Sequence, residues 1–200
     1  MPDVIESRTE ASRREEARQR EEITLMDRES DSPIAVREAR PDEHKQIAAL
    51  TIEAYQEFSA ALEPDAWVTM REGLSQVASR AEKSRVLVSE HDGALLAAVH
   101  YYPPGNSNPR FFPPDWASIR VLAVHPNHRG KGLGRLLTQD CIHRARADKA
   151  SVIGLHTSEL MTAARTLYES MGFRMEKELP ANYGLRYWLY ALDLASRTPD

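Results

Sequence analysis

Apolar positions along this chain recur with two periods, and the switches between them mark out its elements. From Ile34 to Glu38 apolar and polar residues alternate, which predicts a first strand. Pro41-Asp42 then opens a helix that turns Ile47, Leu50, Ile52 and Ala54 toward a core, and a second helix is predicted from Pro64 to Ala81. Arg85 to Glu90 and Ala94 to Tyr102 read as strands joined at His91-Asp92-Gly93, because Asp-Gly accommodates the positive φ of a tight hairpin. Pro103, Pro104, Pro109, Pro113 and Pro114 make the next segment a long loop, since proline breaks helices and central strands alike. Further strands are predicted at Ala117 to Val124 and Ser151 to His156, with helices at Gly132 to Lys149 and Thr162 to Ser170, the latter capped by Gly172. Phe173 to Leu179 and Arg186 to Leu194 complete the pattern as an antiparallel pair.

Before Pro33 the pattern fails. Glu6 to Glu29 is dense in Arg and Glu with few large apolar residues, so residues 1–33 are expected to be a charged tail, disordered or transiently helical. A domain is expected over 34–195, with a short second tail at 196–200. The tail also carries the charge: ten Asp or Glu against six Arg give it −4, equal to the formal charge of the whole chain, so the domain is near neutral. That balance argues against a nucleic-acid binder. No segment approaches the ~20 apolar residues that span a bilayer, which argues against a membrane partner. One cysteine, Cys141, excludes an intramolecular disulfide and suits a cytoplasmic protein, and no Cys/His cluster has metal-ligand spacing.

The most informative stretch is Arg129-Gly130-Lys131-Gly132-Leu133-Gly134-Arg135, between a predicted strand and a predicted helix. Alternating glycines let backbone approach a ligand closely, and the free N–H groups of a helix's first turn favour an anion. Arg129, Lys131 and Arg135 add charge suited to phosphate. A P-loop is excluded because no Lys followed by Ser or Thr stands at the required spacing. A dinucleotide fingerprint fits little better, since Arg135 stands where Gly or Ala is needed.

Written out, Ile119-Arg-Val-Leu122-Ala-Val124-His-Pro126-Asn-His-Arg129-Gly-Lys-Gly132-Leu-Gly134 resembles the central motif of the GCN5-related N-acetyltransferases (GNAT), Arg/Gln-x-x-Gly-x-Gly/Ala. Ala164-Arg-Thr-Leu167-Tyr168-Glu-Ser-Met-Gly172-Phe173 is similar to that family's second block. The resemblance covers roughly Pro33 to Leu194. It implies an α/β (α+β) fold: a mixed, mostly antiparallel sheet of about six to seven strands, with strands 4 and 5 parallel and splayed, flanked by about four helices. It implies acetyl-CoA as cofactor, held by Leu122, Ala123, Val124 and the loop Arg129, Gly130, Lys131, Gly132, Leu133, Gly134 and Arg135. Tyr168 would be the catalytic acid, suited to that role because a phenol stays protonated at neutral pH. The implied reaction is acetyl transfer to a primary amine of a small molecule or peptide by direct attack. A non-catalytic acyl-CoA-binding module on the same fold is the alternative, and a homodimer is compatible with either.

Two positions depart from the family. Ser118 stands where many members place a Glu as general base, and Met161 where Asn is common. Candidates for the base include Glu57, His100, Asp115 and Glu159, or a water chain ending on a backbone carbonyl, and Thr157 or Ser158 could replace the Asn contact. Acceptor choice is expected from the variable, aromatic-rich parts, with Tyr55, Phe58, Tyr101 and Asp115 as candidate substrate contacts. His125 and His128 have no third ligand nearby and read as loop residues rather than a metal pair.

Overall fold

A computed structural model describes residues 34–194 of the 200-residue chain, so the expectations for residues 1–33 and 196–200 lie outside the described residues. Seven strands form one sheet: β1 (Ala35–Glu38), β2 (Arg85–His91), β3 (Ala94–Tyr102), β4 (Trp116–Val124), β5 (Val152–Ser158), β6 (Arg174–Asn182) and β7 (Leu185–Asp193). Their order is β1-β2-β3-β4-β5-β7-β6, and only β4 and β5 pair in parallel. Five α-helices accompany them: α1 (His44–Tyr55), α2 (Pro64–Ser75), α3 (Val77–Ala81), α4 (Leu133–Ala147) and α5 (Thr162–Ser170).

One face of the sheet is covered by α4 and α5, which bury Leu137, Cys141, Ala145 and Tyr168 against Val99, Tyr101, Ile119, Ile153 and Leu155. The opposite face carries α1 and α3, with Ile47, Leu50, Ala54 and Val77 on Val86, Val88, Leu95 and Ala123. Full burial of an Ile or Leu at such positions contributes roughly 1.5–3 kcal/mol each. A third cluster, Phe112, Leu179, Leu185, Tyr187 and Leu189, lies beneath the proline-rich loop.

Three details differ from the sequence pattern. In α1 it is Thr51, not Ile52, that is buried, because its hydroxyl satisfies itself by donating to the Ile47 carbonyl at 2.7 Å. The expected helix from Pro64 to Ala81 is two helices, broken where Gln76 takes φ −78°, ψ 46°, and the break lets Val77 enter the α1 cluster. β6 runs on past Leu179 through Pro180, which is tolerated because β6 is an edge strand. The predicted hairpin is present, with Asp92 and Gly93 at φ 50° and 77° between His91 and Ala94. Among the described residues no helix is long and apolar enough to cross a membrane.

Candidate active site

β4 and β5 pair only from Trp116↔Val152 to Ile119↔Leu155 and then diverge. The cause is local to β4. Between Arg120 and Ala123 the register against β3 slips, and Val121 takes φ 54°, a left-handed conformation that is an outlier for a β-branched residue. The extra residue reverses the strand's parity. Ala117 and Ile119 face α4 and α5 before the bulge, Leu122 and Val124 do so after it, and Ala123 falls on the α1 side.

Beyond the bulge the backbone has no partner toward β5. The His125 N–H donates to Leu96 O at 2.9 Å, so alternation turns the Ala123 backbone toward β3 as well and leaves the groups of Leu122 and Val124 facing the gap. Leu122 O is approached by Tyr55 Oη at 3.4 Å. A cavity of about 580 Å³ occupies this gap.

The glycine loop closes one end of it. A short 3-10 turn, Pro126–His128, is capped by the His125 ring, which accepts from Asn127 N at 3.3 Å. Gly130 and Gly132 follow at φ 75° and 81°, and a Cβ on either would meet nothing within 4 Å, so both open onto free space. Gly132 is the N-cap of α4 and has no side chain to cap it, which leaves the first-turn N–H groups available to an anion. Gly134 works differently: a Cβ there would stand 3.2 Å from Leu167 Cδ2, so its absence serves close packing of α4 on α5. The basic residues also divide. The Arg129 side chain is committed to the end of α1 and the 3-10 turn Gln56–Ala61 after it, donating to Ala54 O at 2.6 Å and to Glu57 at 2.8 Å. Arg135 donates to Ser170 Oγ at 2.6 Å. Lys131 is exposed and forms no ion pair among the described residues.

Tyr168 stands at the other side of the gap. Its ring is buried, 5.7 Å from that of Phe173, and is set by the α5 C-terminus, where Gly172 at φ 91° lets the Phe173 N–H return to Tyr168 O at 3.1 Å. Its hydroxyl has no hydrogen-bond partner among the described residues, and the residue lines the cavity. Burial pushes its pKa well above the ordinary phenol value, with Tyr55 and Cys141 adding to the shift.

The other candidates separate clearly. Tyr55 and Phe58 line the cavity, edge to face at 5.8 Å, and burial raises the Tyr55 phenol to about 12. Tyr101 does not reach it. It lies under α4 and donates to Asp148 Oδ2 at 2.8 Å, because its strand position places it on the α4 face. Asp115 is also remote from the cavity, at the paired end of β4, where Ser151 Oγ donates to it. Of the proposed bases, His100 is bonded to Ser84 Oγ at 3.0 Å and is lowered to about 3 by burial, then by Arg80 and Arg120. Glu159 accepts from Arg186 N, and Ser118 is buried within 2.6 Å of Ser107 Oγ. Met161, Thr157 and Leu160 line the cavity, whereas Ser158 does not.

Sequence reasoning missed His156, which follows the last paired stretch of β5 and so enters the gap. Its ring stacks on Phe112 at 6.3 Å and meets Tyr187 edge-on at 5.9 Å, while Nδ1 is buried without a partner. Burial, then the charge of Arg120, lowers it to about 4, so it is neutral at pH 7. Among the described residues no group of three or more His, Cys, Asp or Glu is arranged to hold a metal ion.

Comparison with known proteins agrees with this geometry. The sequence profile of the Acetyltransferase (GNAT) family matches residues 5–173. A mycothiol acetyltransferase of Geodermatophilus obscurus is 35% identical over 85 residues, 41% of this chain and 26% of that protein. N-acetyltransferase 8B of Mus musculus is 42% identical over 53 residues, 26% of this chain and 23% of that protein. The chain thus spans about a quarter of the length of these curated relatives. The structure of yncA from Salmonella typhimurium with its cofactor acetyl-CoA superposes at a TM-score of 0.61 and 23% identity, covering 84% of this chain and 98% of that one, which establishes the shared fold. With a matching profile over most of its length and a sheet that splays at a β4 bulge, this chain belongs to the GNAT acetyltransferase family.

Proposed function

We propose that this protein transfers the acetyl group of acetyl-CoA to a primary amine by direct attack in a ternary complex. The observation that carries the reading is the gap itself: strand backbone freed at Leu122 and Val124, ending at an uncapped helix N-terminus and flanked by a tyrosine hydroxyl without a partner. Acetyl-CoA supplies an acetyl group activated as a thioester. The residues fit it. The Leu122 N–H and the Val124 backbone groups suit an extended amide-bearing arm added like a strand, and the open space over Gly130 and Gly132 with the α4 N–H groups suits a diphosphate. Lys131 is the free cation beside that loop.

Charge and proton handling falls to two groups. A prepositioned N–H of β4 stabilises charge growing on a carbonyl oxygen, worth roughly 3–4 kcal/mol in acyl-transfer sites. Tyr168 keeps its proton at neutral pH, since its pKa is raised, and holds it at Oη where a departing sulfur can take it. His156 is neutral, but with its pKa lowered to about 4 and Nδ1 shut off from solvent it is too weak and too enclosed to serve as the base, so the acceptor amine gives up its proton to solvent water.

The test is calorimetric titration of CoA followed by thiol release from acetyl-CoA across amino acids, polyamines, aminoglycosides and short peptides. Micromolar CoA binding with acetylation of at least one amine is expected, and absence of CoA binding refutes the proposal. One observation favours a second reading, a non-catalytic acyl-CoA-binding module: among the described residues the cavity wall holds no free carboxylate, since Glu57 is paired with Arg129 and position 118 is a bonded serine. Tight CoA binding with no acetylation across the panel would select that reading.

A further inference from the structure

Of the four arginines that line this cavity, Arg129 is paired with Glu57 and Arg135 is bonded to Ser170, whereas Arg80 and Arg120 have neither kind of partner among the described residues. Arg80 on α3 and Arg120 on β4 are both half-buried and both line it. Arg37, Arg85, Arg129, Arg144 and Arg186 are each paired with a carboxylate, but Arg80 and Arg120 form no ion pair among the described residues. Arg80 Nη1 and Arg120 Nε are shut off from solvent with no hydrogen-bond partner among the described residues, which leaves the other N–H groups of each guanidinium for a ligand. The Arg120 guanidinium lies 6.0 Å from the Tyr102 centroid, which compensates it in part. Burial depresses the Arg80 pKa, and the like charge of Arg120 adds to that. The one carboxylate on the cavity wall, Glu57, is already held by Arg129.

Half-buried guanidinium charges left unpaired are costly, and a fold tolerates two in one cavity most readily when an anionic ligand completes them. We propose that the amine acceptor carries an oxyanion group, a carboxylate in the first instance, which docks between Arg80 and Arg120. The inference rests on the acetyl-transfer reading of the site. Planar guanidinium forks match a carboxylate in two-point geometry. Around them the wall is apolar or aromatic: Tyr55, Phe58, Met70, Leu74 and Tyr183. Arg80 Nη2 and Tyr183 Oη converge over Gly73, at 3.8 and 3.7 Å from the point its Cβ would occupy. Tyr183 is itself held at φ 54° in the tight β6–β7 turn, a conformation a tyrosine rarely adopts. The acceptor class is therefore an amino acid or similar aminocarboxylate with an apolar body, and polycations are repelled. The same two charges favour the neutral form of an acceptor amine beside them, which lessens the need for the missing carboxylate base.

The experiment compares L-leucine and L-phenylalanine with their amides, with phosphoethanolamine and with spermidine. Each is titrated into CoA-saturated protein and assayed by thiol release from acetyl-CoA. Amino acids should exceed their amides by on the order of 10²-fold in affinity and in kcat/KM, because a site built for a buried polar group rejects the analogue that lacks it. Arg80→Met and Arg120→Met should each erase that preference with CoA affinity unchanged, and neither should unfold the protein, since each removes an uncompensated buried charge. A preference for phosphoethanolamine over the amino acids keeps the oxyanion site and assigns it to phosphate. Equal handling of acids and amides, preference for spermidine, or binding of none of the anionic compounds overturns the inference. Binding of the amino acids without acetylation would instead leave the oxyanion site standing and refute acetyl transfer.

Discussion

Replacing Tyr168 with Phe removes one oxygen and keeps the ring that packs against Phe173. The hydroxyl has no hydrogen-bond partner among the described residues, so its loss should cost the fold little, within about 0.5 kcal/mol. Tyr101→Phe is the internal control. That hydroxyl is buried and donates to the Asp148 carboxylate at 2.8 Å, a bond to a charged group whose removal costs roughly 1.5–3 kcal/mol. Activity should show the opposite order. If Tyr168 delivers the proton to the departing sulfur, turnover falls by on the order of 10² to 10⁴, or roughly 3–5 kcal/mol of barrier, while Tyr101→Phe leaves turnover per folded molecule unchanged. Urea unfolding gives the first comparison, and thiol release with an accepted amine, with CoA affinity measured alongside, gives the second. Wild-type turnover in Tyr168→Phe would refute the acid role. A stability loss as large as that of Tyr101→Phe would show that the hydroxyl has a structural partner.

Gly132→Ala should weaken CoA binding by about tenfold or more and destabilise by roughly 1 kcal/mol, because its φ of 81° strains any side chain and the new methyl enters the open cradle, as calorimetry and thermal melting would show. Gly154→Ala should cost roughly 1–3 kcal/mol in thermal or urea unfolding without touching CoA affinity, since its Cβ would lie 3.0 Å from the Phe112 ring and 3.1 Å from Trp116. The buried Glu43 carboxyl is lowered to about 2, chiefly by its hydrogen bond from Arg37, so its stabilisation of about 3 kcal/mol is complete above the unfolded pKa near 4.5 and is lost as pH falls toward 2. Glu43→Gln should therefore lower the urea midpoint at pH 6 and flatten its fall between about pH 4.5 and 2. Cys141 is fully buried and its thiol pKa is pushed up by that burial, so aromatic disulfide reagents should titrate it only after unfolding.

Local chemistry made much of the molecule legible from its sequence. Asp92-Gly93 specified a hairpin because few other residues take positive φ, and α5 kept its predicted limits because Gly172 ends it where the apolar spacing stops. The glycine loop stands out for the same reason, whereas Tyr168 is singled out only by its place in the second family block. Distance along the sequence hid the rest. Whether Gly134 serves a ligand or a neighbour depends on Leu167, and whether Arg129 is free depends on the end of α1 and the turn after it, more than seventy residues earlier. Tyr55 and Tyr101 were equal candidates as aromatic residues, and the sheet faces separated them, one over the gap and one under α4. The bulge at Val121 leaves no mark that a hydrophobic pattern reveals, yet it reverses strand parity, frees Leu122 and Val124 and admits His156. Arg80 and Arg120 have ordinary surroundings in the sequence. Only packing, which buries their donors and brings no carboxylate to them, marks the pair as a site for an anion.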